Sequence, residues 1–322
     1  MRVLVVGGAG YVGGAVTDLL QQPFYHPTPH SFQVYDSLLY EDQFRKPVPF
    51  CRGDVRDHSR LLPLLHQSDV VLWLAALVGD GACALDPPAA VEVNQESVRW
   101  LAENFPGRII FLSTCSVYGQ GEGELTESSP TNPLSVYATT KLAAEQTLAD
   151  HPNCLIFRLG TLFGLSDHFS RVRFDLVVNT LTLRAQREGR LTVFGGDQFR
   201  PLLHVRDAAE AIVSAIPTRQ TGIYNLRYRN YSISELADLV AAEFPGLEIT
   251  STPQHFEDHR NYRVSSLAAA RDLRFYPRRT VSEGIREIKR LLDEGRLTNP
   301  DHARHGNERH LAARRMEMEA AR

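Results

Sequence analysis

Met1-Arg2-Val3-Leu4-Val5-Val6 runs into Gly7-Gly8-Ala9-Gly10-Tyr11-Val12-Gly13-Gly14, then into a helical pattern, and a second apolar run ends at Asp36. That order reads as strand, glycine turn, helix, strand. Glycines at 7, 10 and 13 permit a tight turn, a close backbone approach to a pyrophosphate and close packing of helix on sheet, while the helix N-terminus offers unpaired N–H groups to phosphate charge. A dinucleotide is the expected ligand, with Tyr11 and Val12 between the last two glycines of its binding turn. Asp36 closes the second strand, where a carboxylate accepts hydrogen bonds from the adenosine ribose diol and repels a 2′-phosphate, so NAD is expected ahead of NADP. Glycines also serve ordinary turns; the apolar strand before, the helix after and the acid downstream set this triplet apart.

The 322-residue chain is 43% hydrophobic, enough for a large core in one large or two interlocked domains. A formal charge of -3 over mixed signs gives no electrostatic reason for a nucleic-acid or anionic-membrane partner. The longest apolar run, Val70 to Val78, is far short of a membrane span, and the glycine strand begins at residue 2, so no membrane segment or signal peptide is expected and a cytoplasmic location is. Cys51, Cys83, Cys115 and Cys154 lack metal-ligand spacing, which suits reduced thiols better than disulfides or zinc; no metal is expected.

Three prolines within residues 21–31 predict a loop after the first helix. A third strand near Val48 to Cys51 leads to Gly53-Asp54-Val55. Asp69 to Leu77 has the pattern of a fully buried parallel strand, and its terminal Ala75-Ala76-Leu77 is small enough to let a cofactor lie against the backbone. A loop over residues 78–88, a helix from about Ala89 to Asn104, a buried strand from Ile109 to Ser113 and a helix through Tyr137 to about Asp150 follow. Strand and helix thus alternate through residue 159, which predicts an α/β protein with a Rossmann-type doubly wound parallel sheet. Past Gly164 the alternation loosens. A dinucleotide-binding part over residues 1–165 is expected, with a strand and helix near 195–230 returning to it, interleaved with a smaller C-terminal α/β substrate-binding region over 166–298. Residues 299–322 read as a peripheral helix or disordered tail without chemistry.

Tyr137 and Lys141 lie four apart in a helix and project from one face, so the ammonium can approach the phenol and lower its pKa from about 10 towards that of a useful base. Tyr-x-x-x-Lys is common by chance; its weight comes from following Thr114, which ends a parallel strand where ligands of such sheets bind.

The glycine spacing, Asp54-Val55, Ala75-Ala76, Val117-Tyr118-Gly119, Tyr137 with Lys141, and Arg200 followed by His204-Val205 and Asp207 occur in the order of a known family. Over residues 1 to about 293 the chain resembles the extended short-chain dehydrogenase/reductases, in particular the NAD-dependent epimerase/dehydratase branch acting on nucleotide sugars. The resemblance implies Asp54 and Val55 at the adenine, Ala75, Ala76 and Leu77 beside the nicotinamide ribose, and Asn94 near the catalytic helix as a structural or relay hydrogen bonder. It implies a hydride step at a sugar carbon, usually C4. Tyr137 takes the hydroxyl proton, Thr114 hydrogen-bonds the same oxygen, and Lys141 holds the ribose and the phenolate charge. A homodimer is implied, through the helix around Val98 to Glu103 and the Tyr137 helix.

On the substrate side the candidates are Asp80, Cys83, Cys115, Ser116, Asn179, Arg200 and Arg260, for a nucleotide-diphosphate sugar. Asp80 and Cys83 serve equally well as a surface acid and a small buried thiol. Either His255 or Arg260 occupies the place of a second pyrophosphate-binding arginine, and each arginine has the alternative of a surface ion pair. Two departures narrow the chemistry. Sugar 4,6-dehydratases carry Asp-Glu directly after the threonine, whereas this chain has Cys115-Ser116, which argues against dehydration by that route. Cys115 or Ser116 could assist inversion at C3 or C5, or Cys115 merely packs behind Thr114. Thr161 replaces the asparagine of the Arg-x-x-Asn-x-x-Gly pattern, leaving the nucleotide open. The expected activity is a nucleotide-sugar epimerase with tightly held NAD. The alternatives are a 4-dehydrogenase or ketoreductase exchanging NAD(H), and a catalytically silent NAD(H)-binding regulator.

Overall fold

A computed structural model describes residues 1–22, 30–252 and 260–320. Its centre is a sheet in which, among the described residues, seven strands run parallel. Five of them are β1 (Arg2–Val6), β2 (Ser31–Asp36), β3 (Phe50–Arg52), β4 (Val70–Trp73) and β5 (Arg108–Thr114); Cys154–Leu159 and Gly222–Leu226 complete the set. The order is Gly222–Leu226, Cys154–Leu159, β5, β4, β1, β2, β3. This is the expected doubly wound α/β fold.

Strand side chains alternate between faces, so a strand buried on both sides must be apolar throughout. In β1, Val3 and Val5 join Val16, Leu72, Ile110, Phe157 and Ile212 on one face, while Leu4 and Val6 join Leu61, Trp73, Leu101 and Phe111 on the other. Each such side chain contributes roughly 1.5–3 kcal/mol by burial. Order reverses at β1, with β2 on one side and β4 on the other, and the crevice at such a switch point is where ligands of open α/β sheets bind.

Several elements differ from expectation. The strand predicted to reach Leu77 stops at Trp73, because Leu74 and Ala75 both donate their N–H groups to the Val6 carbonyl at 2.8 and 2.9 Å and the chain peels away. The predicted loop at 78–88 contains a helix, Asp80–Leu85. The next helix begins at Pro87, where Asp86 accepts the Ala89 N–H at 3.0 Å and proline needs no donor. It passes through a π-helical turn, Glu92–Glu96, before Ser97–Asn104. Of the returning segment, Phe199–His204 joins a small sheet with Thr161–Phe163 and Arg229–Ser232, whereas the helix Val205–Ala215 packs on the first helix, Tyr11–Leu20, and Gly222–Leu226 enters the main sheet. Phe163, Val178, Leu181, Leu236, Val240 and Ile285 form a separate core beneath that small sheet. Residues 23–29 of the proline-rich loop and His255 lie outside the described residues. Among those described, no helix is long and apolar enough to cross a membrane.

Candidate functional site

A cleft of about 2330 Å³ opens at the carboxyl ends of β1, β2, β4 and β5. Sites for one drug-sized ligand measure roughly 300–1,000 Å³, so this one has room for two. The glycine turn forms its floor. Gly7 adopts φ +89, and a Cβ there would lie 2.5 Å from the Ala75 nitrogen; on Gly13 it would lie 2.2 Å from the Gly7 oxygen. These two glycines are therefore required by packing. Gly10 is different: its nearest neighbour would be the Gly7 oxygen at 3.5 Å, and it starts the first helix without a side-chain cap. Helical N–H groups of the first turn have no intrahelical partner, so this end suits phosphate.

Asp36 accepts hydrogen bonds from the Ala9 N–H at 3.0 Å and the Leu38 N–H at 2.7 Å, tying the end of β2 to the glycine turn. Burial pushes its carboxyl above the ordinary value, against those two bonds. Val12 and the Tyr11 ring line the cleft, while the Tyr11 hydroxyl donates to the Gly164 carbonyl at 2.7 Å. Val55 is buried at the cleft wall. Asp54 lines it too, but its carboxylate pairs with Arg56 at 2.9 Å, which also holds Glu92. Ala75, Ala76 and Leu77 form the opposite wall. Asn94 sits behind that wall, accepting the Leu77 N–H at 2.8 Å and donating to the Leu77 carbonyl at 2.9 Å and Thr140 Oγ1 at 3.2 Å.

Thr114 ends β5, and Tyr137 lies in the first turn of the helix Val136–Leu148, capped by Ser135. Ser135 donates to Asp80 at 2.6 Å, so the helix start is tied to the β4 side of the cleft. Tyr137 and Thr114 face the same cleft, close enough for the Thr114 side chain to favour the phenolate. Tyr137 keeps part of its surface open to the cleft, yet enough protein surrounds its hydroxyl that burial raises the phenol above its ordinary value; Cys83 and Asp80 push the same way, and Arg173 and Thr114 oppose. Lys141 is 3% exposed, with Nζ 4.0 Å from the centroid of the Phe111 ring. Burial lowers its ammonium to about 7, against the pull of Glu145. The expectation that a neighbouring ammonium depresses the phenol is thus corrected: in the chain by itself, desolvation outweighs charge at both groups.

On the substrate side, Ser116 Oγ lies 3.4 Å from both the Tyr262 hydroxyl and Arg260 Nη1, and Arg260 pairs with Asp80 at 3.2 Å. Arg200 donates to the Phe199 carbonyl at 2.9 Å and to the Arg260 carbonyl, and all four cleft residues Asp80, Ser116, Arg200 and Arg260 line the same opening. Three candidates do not line it. Cys83 and Cys115 are fully buried and donate Sγ–H to the Leu77 and Arg158 carbonyls, each at 3.3 Å. Asn179 is buried, accepting the Gly164 N–H at 3.0 Å and donating to the Arg173 carbonyl at 2.8 Å. Their polar atoms are committed to backbone groups, which is why they face inward.

The cleft also holds residues that sequence reasoning missed. Arg171, Arg173 and Arg184 line it; Arg173 pairs with Asp175 at 2.8 Å and its charge acts on both Tyr11 and Tyr137. The charged alternation Arg171-Val172-Arg173-Phe174-Asp175 before an apolar helix was a usable signal. The helix Asn307–Ala320 lines the cleft as well, although the tail was expected to be peripheral.

The family model described as "NAD dependent epimerase/dehydratase family" matches residues 3–226. The chain is 30% identical over 244 residues to a UDP-glucose 4-epimerase of Rhizobium meliloti (strain 1021), covering 67% of this chain and 72% of that one. It is 26% identical over 313 residues to a dTDP-glucose 4,6-dehydratase of an Actinoplanes species, covering 89% and 96%. In fold it is similar to the crystal structure of UDP-glucose 4-epimerase with UDP-glucose from Thermotoga maritima, with a TM-score of 0.78, 20% identity and coverage of 92% and 100%.

Proposed function

The chain belongs to the NAD-dependent epimerase/dehydratase family, and we propose that within it this protein is a nucleotide-sugar epimerase working through a 4-keto intermediate. The observation that carries the reading is the convergence of Thr114, Tyr137 and Lys141, the last two one turn apart on the same helix, on one cleft at the strand ends beside the glycine turn. Gly7, Gly10, Tyr11, Val12, Gly13 and Asp36 would hold the pyrophosphate and adenosine ribose of NAD, with Asp54 and Val55 near the adenine and Ala75, Ala76 and Leu77 near the nicotinamide ribose. Bound NAD supplies a hydride acceptor that becomes a donor on the return step.

Tyr137 removes the proton from the sugar C4 hydroxyl and later gives it back, while Thr114 donates a hydrogen bond to the same oxygen. Lys141 would hold the nicotinamide ribose, the other role that the family resemblance implies for it. Arg200 and Arg260 serve the diphosphate, since a guanidinium fork matches its oxygens. Against dehydration stands the lack of a carboxylate pair after Thr114: Cys115 there is buried and bonded to a backbone carbonyl, and Asp80 is held by Ser135 and Arg260. The helices Ser97–Asn104 and Val136–Leu148 would carry a homodimer contact.

The test is incubation with UDP-, dTDP-, GDP- and CDP-sugars in D2O. An isomerised sugar is expected, with solvent deuterium marking inversion at C3 or C5 and its absence marking C4. Accumulation of a 6-deoxy-4-keto sugar would point to dehydration, and stoichiometric release of NADH to a net oxidoreductase.

A further inference from the structure

The helix Asn307–Ala320 crosses the cofactor cleft from one side of β1 to the other. On the β2 side, His310 Nε2 and Arg314 Nη1 each donate to the Leu39 carbonyl at 2.9 Å, and the His310 ring lies 5.3 Å from that of Tyr40. On the β4 side, Arg315 donates to the Leu85 carbonyl at 3.2 Å and Asn307 to the Val78 carbonyl at 2.7 Å, while Leu311 packs with Leu77, Cys83 and Ala90. Leu39 lies three residues past Asp36, and Val78 and Leu85 follow β4. In the strand order β2, β1, β4, a helix tied to both of these loops passes over the tip of β1, where the glycine turn faces the pyrophosphate site.

The helix is anchored at its start by the Asn307 N–H donating to Asp175 at 2.8 Å and by Arg171 donating to the Asn307 side chain and to the Arg304 carbonyl. Otherwise its attachments are side chains reaching backbone carbonyls, with Leu311 as an apolar anchor and Glu308 packed against Gly81. Segments held in this way open at low free-energy cost. Arg309, His310, Arg314 and Arg315 stand along it with Glu308, Glu317 and Glu319; all but Arg309 line the cleft, and Arg315 pairs with Glu319 at 3.0 Å. Burial lowers the His310 imidazole, so it serves there as a neutral hydrogen-bond donor, and the Arg314 guanidinium is the cation that favours an anionic diphosphate.

We propose that this helix is a strap over the dinucleotide, with His310 and Arg314 as further cofactor-binding residues, which must lift for NAD to enter or leave. The strap would keep NAD in place between the two hydride steps. This deepens the epimerase reading and rests on it for its purpose, but it is tested without any sugar.

Two measurements on the full chain decide it. Addition of NAD+ should slow hydrogen–deuterium exchange across residues 308–319; unchanged exchange on saturation overturns the proposal. Release of bound NAD+, captured by alcohol dehydrogenase and ethanol, should be at least about tenfold faster from the His310→Ala, Arg314→Ala double variant, as expected for losing two hydrogen bonds of ordinary strength. Equal release rates, or a wild-type chain that sheds NAD+ as fast as the variant, overturn it. The exchange measurement needs only wild-type protein, so misfolding of the variant leaves the proposal exposed to refutation. Failure to isomerise any nucleotide sugar, with strap protection intact, would count against the epimerase reading alone.

Discussion

The Lys141 amine lies 4.0 Å from the centre of the Phe111 ring, enclosed by protein. An aromatic face attracts a cation, but burial dominates and lowers the ammonium from 10.5 to about 7. Unfolded Lys141 holds its proton up to about pH 10.5, so between pH 7 and that value the unfolded state binds more protons and stability rises with pH. Below pH 7 both states are protonated and the full penalty applies, roughly 5 kcal/mol at about 1.4 kcal/mol per tenfold change in proton affinity. Urea unfolding of NAD-free protein should therefore show stability climbing between pH 7 and pH 10. Lys141→Met should flatten that rise and gain a few kcal/mol at pH 7; an unchanged slope would show that Lys141 is not the titrating group.

Gly10 and Gly13 should part company on substitution. A methyl on Gly13 would lie 2.2 Å from the Gly7 oxygen and 2.6 Å from the Gly8 Cα, both backbone atoms, so Gly13→Ala should destabilise the fold and abolish NAD binding. A methyl on Gly10 meets nothing closer than 3.5 Å, so Gly10→Ala should melt like the parent. The methyl would stand where a diphosphate approaches, and calorimetric titration should show NAD affinity reduced by about tenfold or more.

Glu145 on the catalytic helix and Arg158 on the strand Cys154–Leu159 form a buried pair at 2.6 Å, and Arg158 also donates to the Tyr118 hydroxyl at 2.9 Å. Removing one member of a buried pair strands the other charge at a cost of about 3–5 kcal/mol. Arg158→Leu should lose stability of that size in denaturant titration, whereas replacement of both residues by apolar ones should cost much less.

The fold was legible because its parallel strands are apolar on both faces, as in Val3 to Val6 and Ile109 to Leu112, and because Gly7 and Gly13 occupy positions where a side chain cannot fit. Boundaries failed where tertiary contacts decided them: nothing local in Leu74-Ala75 announces that both N–H groups bond to Val6. Residue type placed Asp36, Thr114 and Tyr137 at the cleft, but it could not show which way Cys83, Cys115 and Asn179 point, since their partners are backbone groups, which carry no residue-type signal. The strap was invisible for a similar reason. Its attachments run from polar side chains to the Leu39, Val78 and Leu85 carbonyls, so the segment lacks the apolar stripe by which a packed helix is recognised.

Tyr137→Phe keeps the ring and removes the hydroxyl that faces the cleft beside Thr114. Sugar oxidation, followed as the absorbance of reduced nicotinamide after mixing with an accepted nucleotide sugar, should slow by on the order of 10² to 10⁴. Bound NAD per chain should be unchanged. Near-normal turnover would remove Tyr137 from the role of base.

The most direct measurement places deuterium at C4 of an accepted nucleotide sugar and locates it in the product by NMR. If Tyr137 and Thr114 serve an oxidation at C4 whose hydride is returned from a retained NAD, the product is an isomer with the label still on C4. Label moved to C6, or lost to free cofactor, or an unchanged sugar with every nucleotide tried, would contradict that.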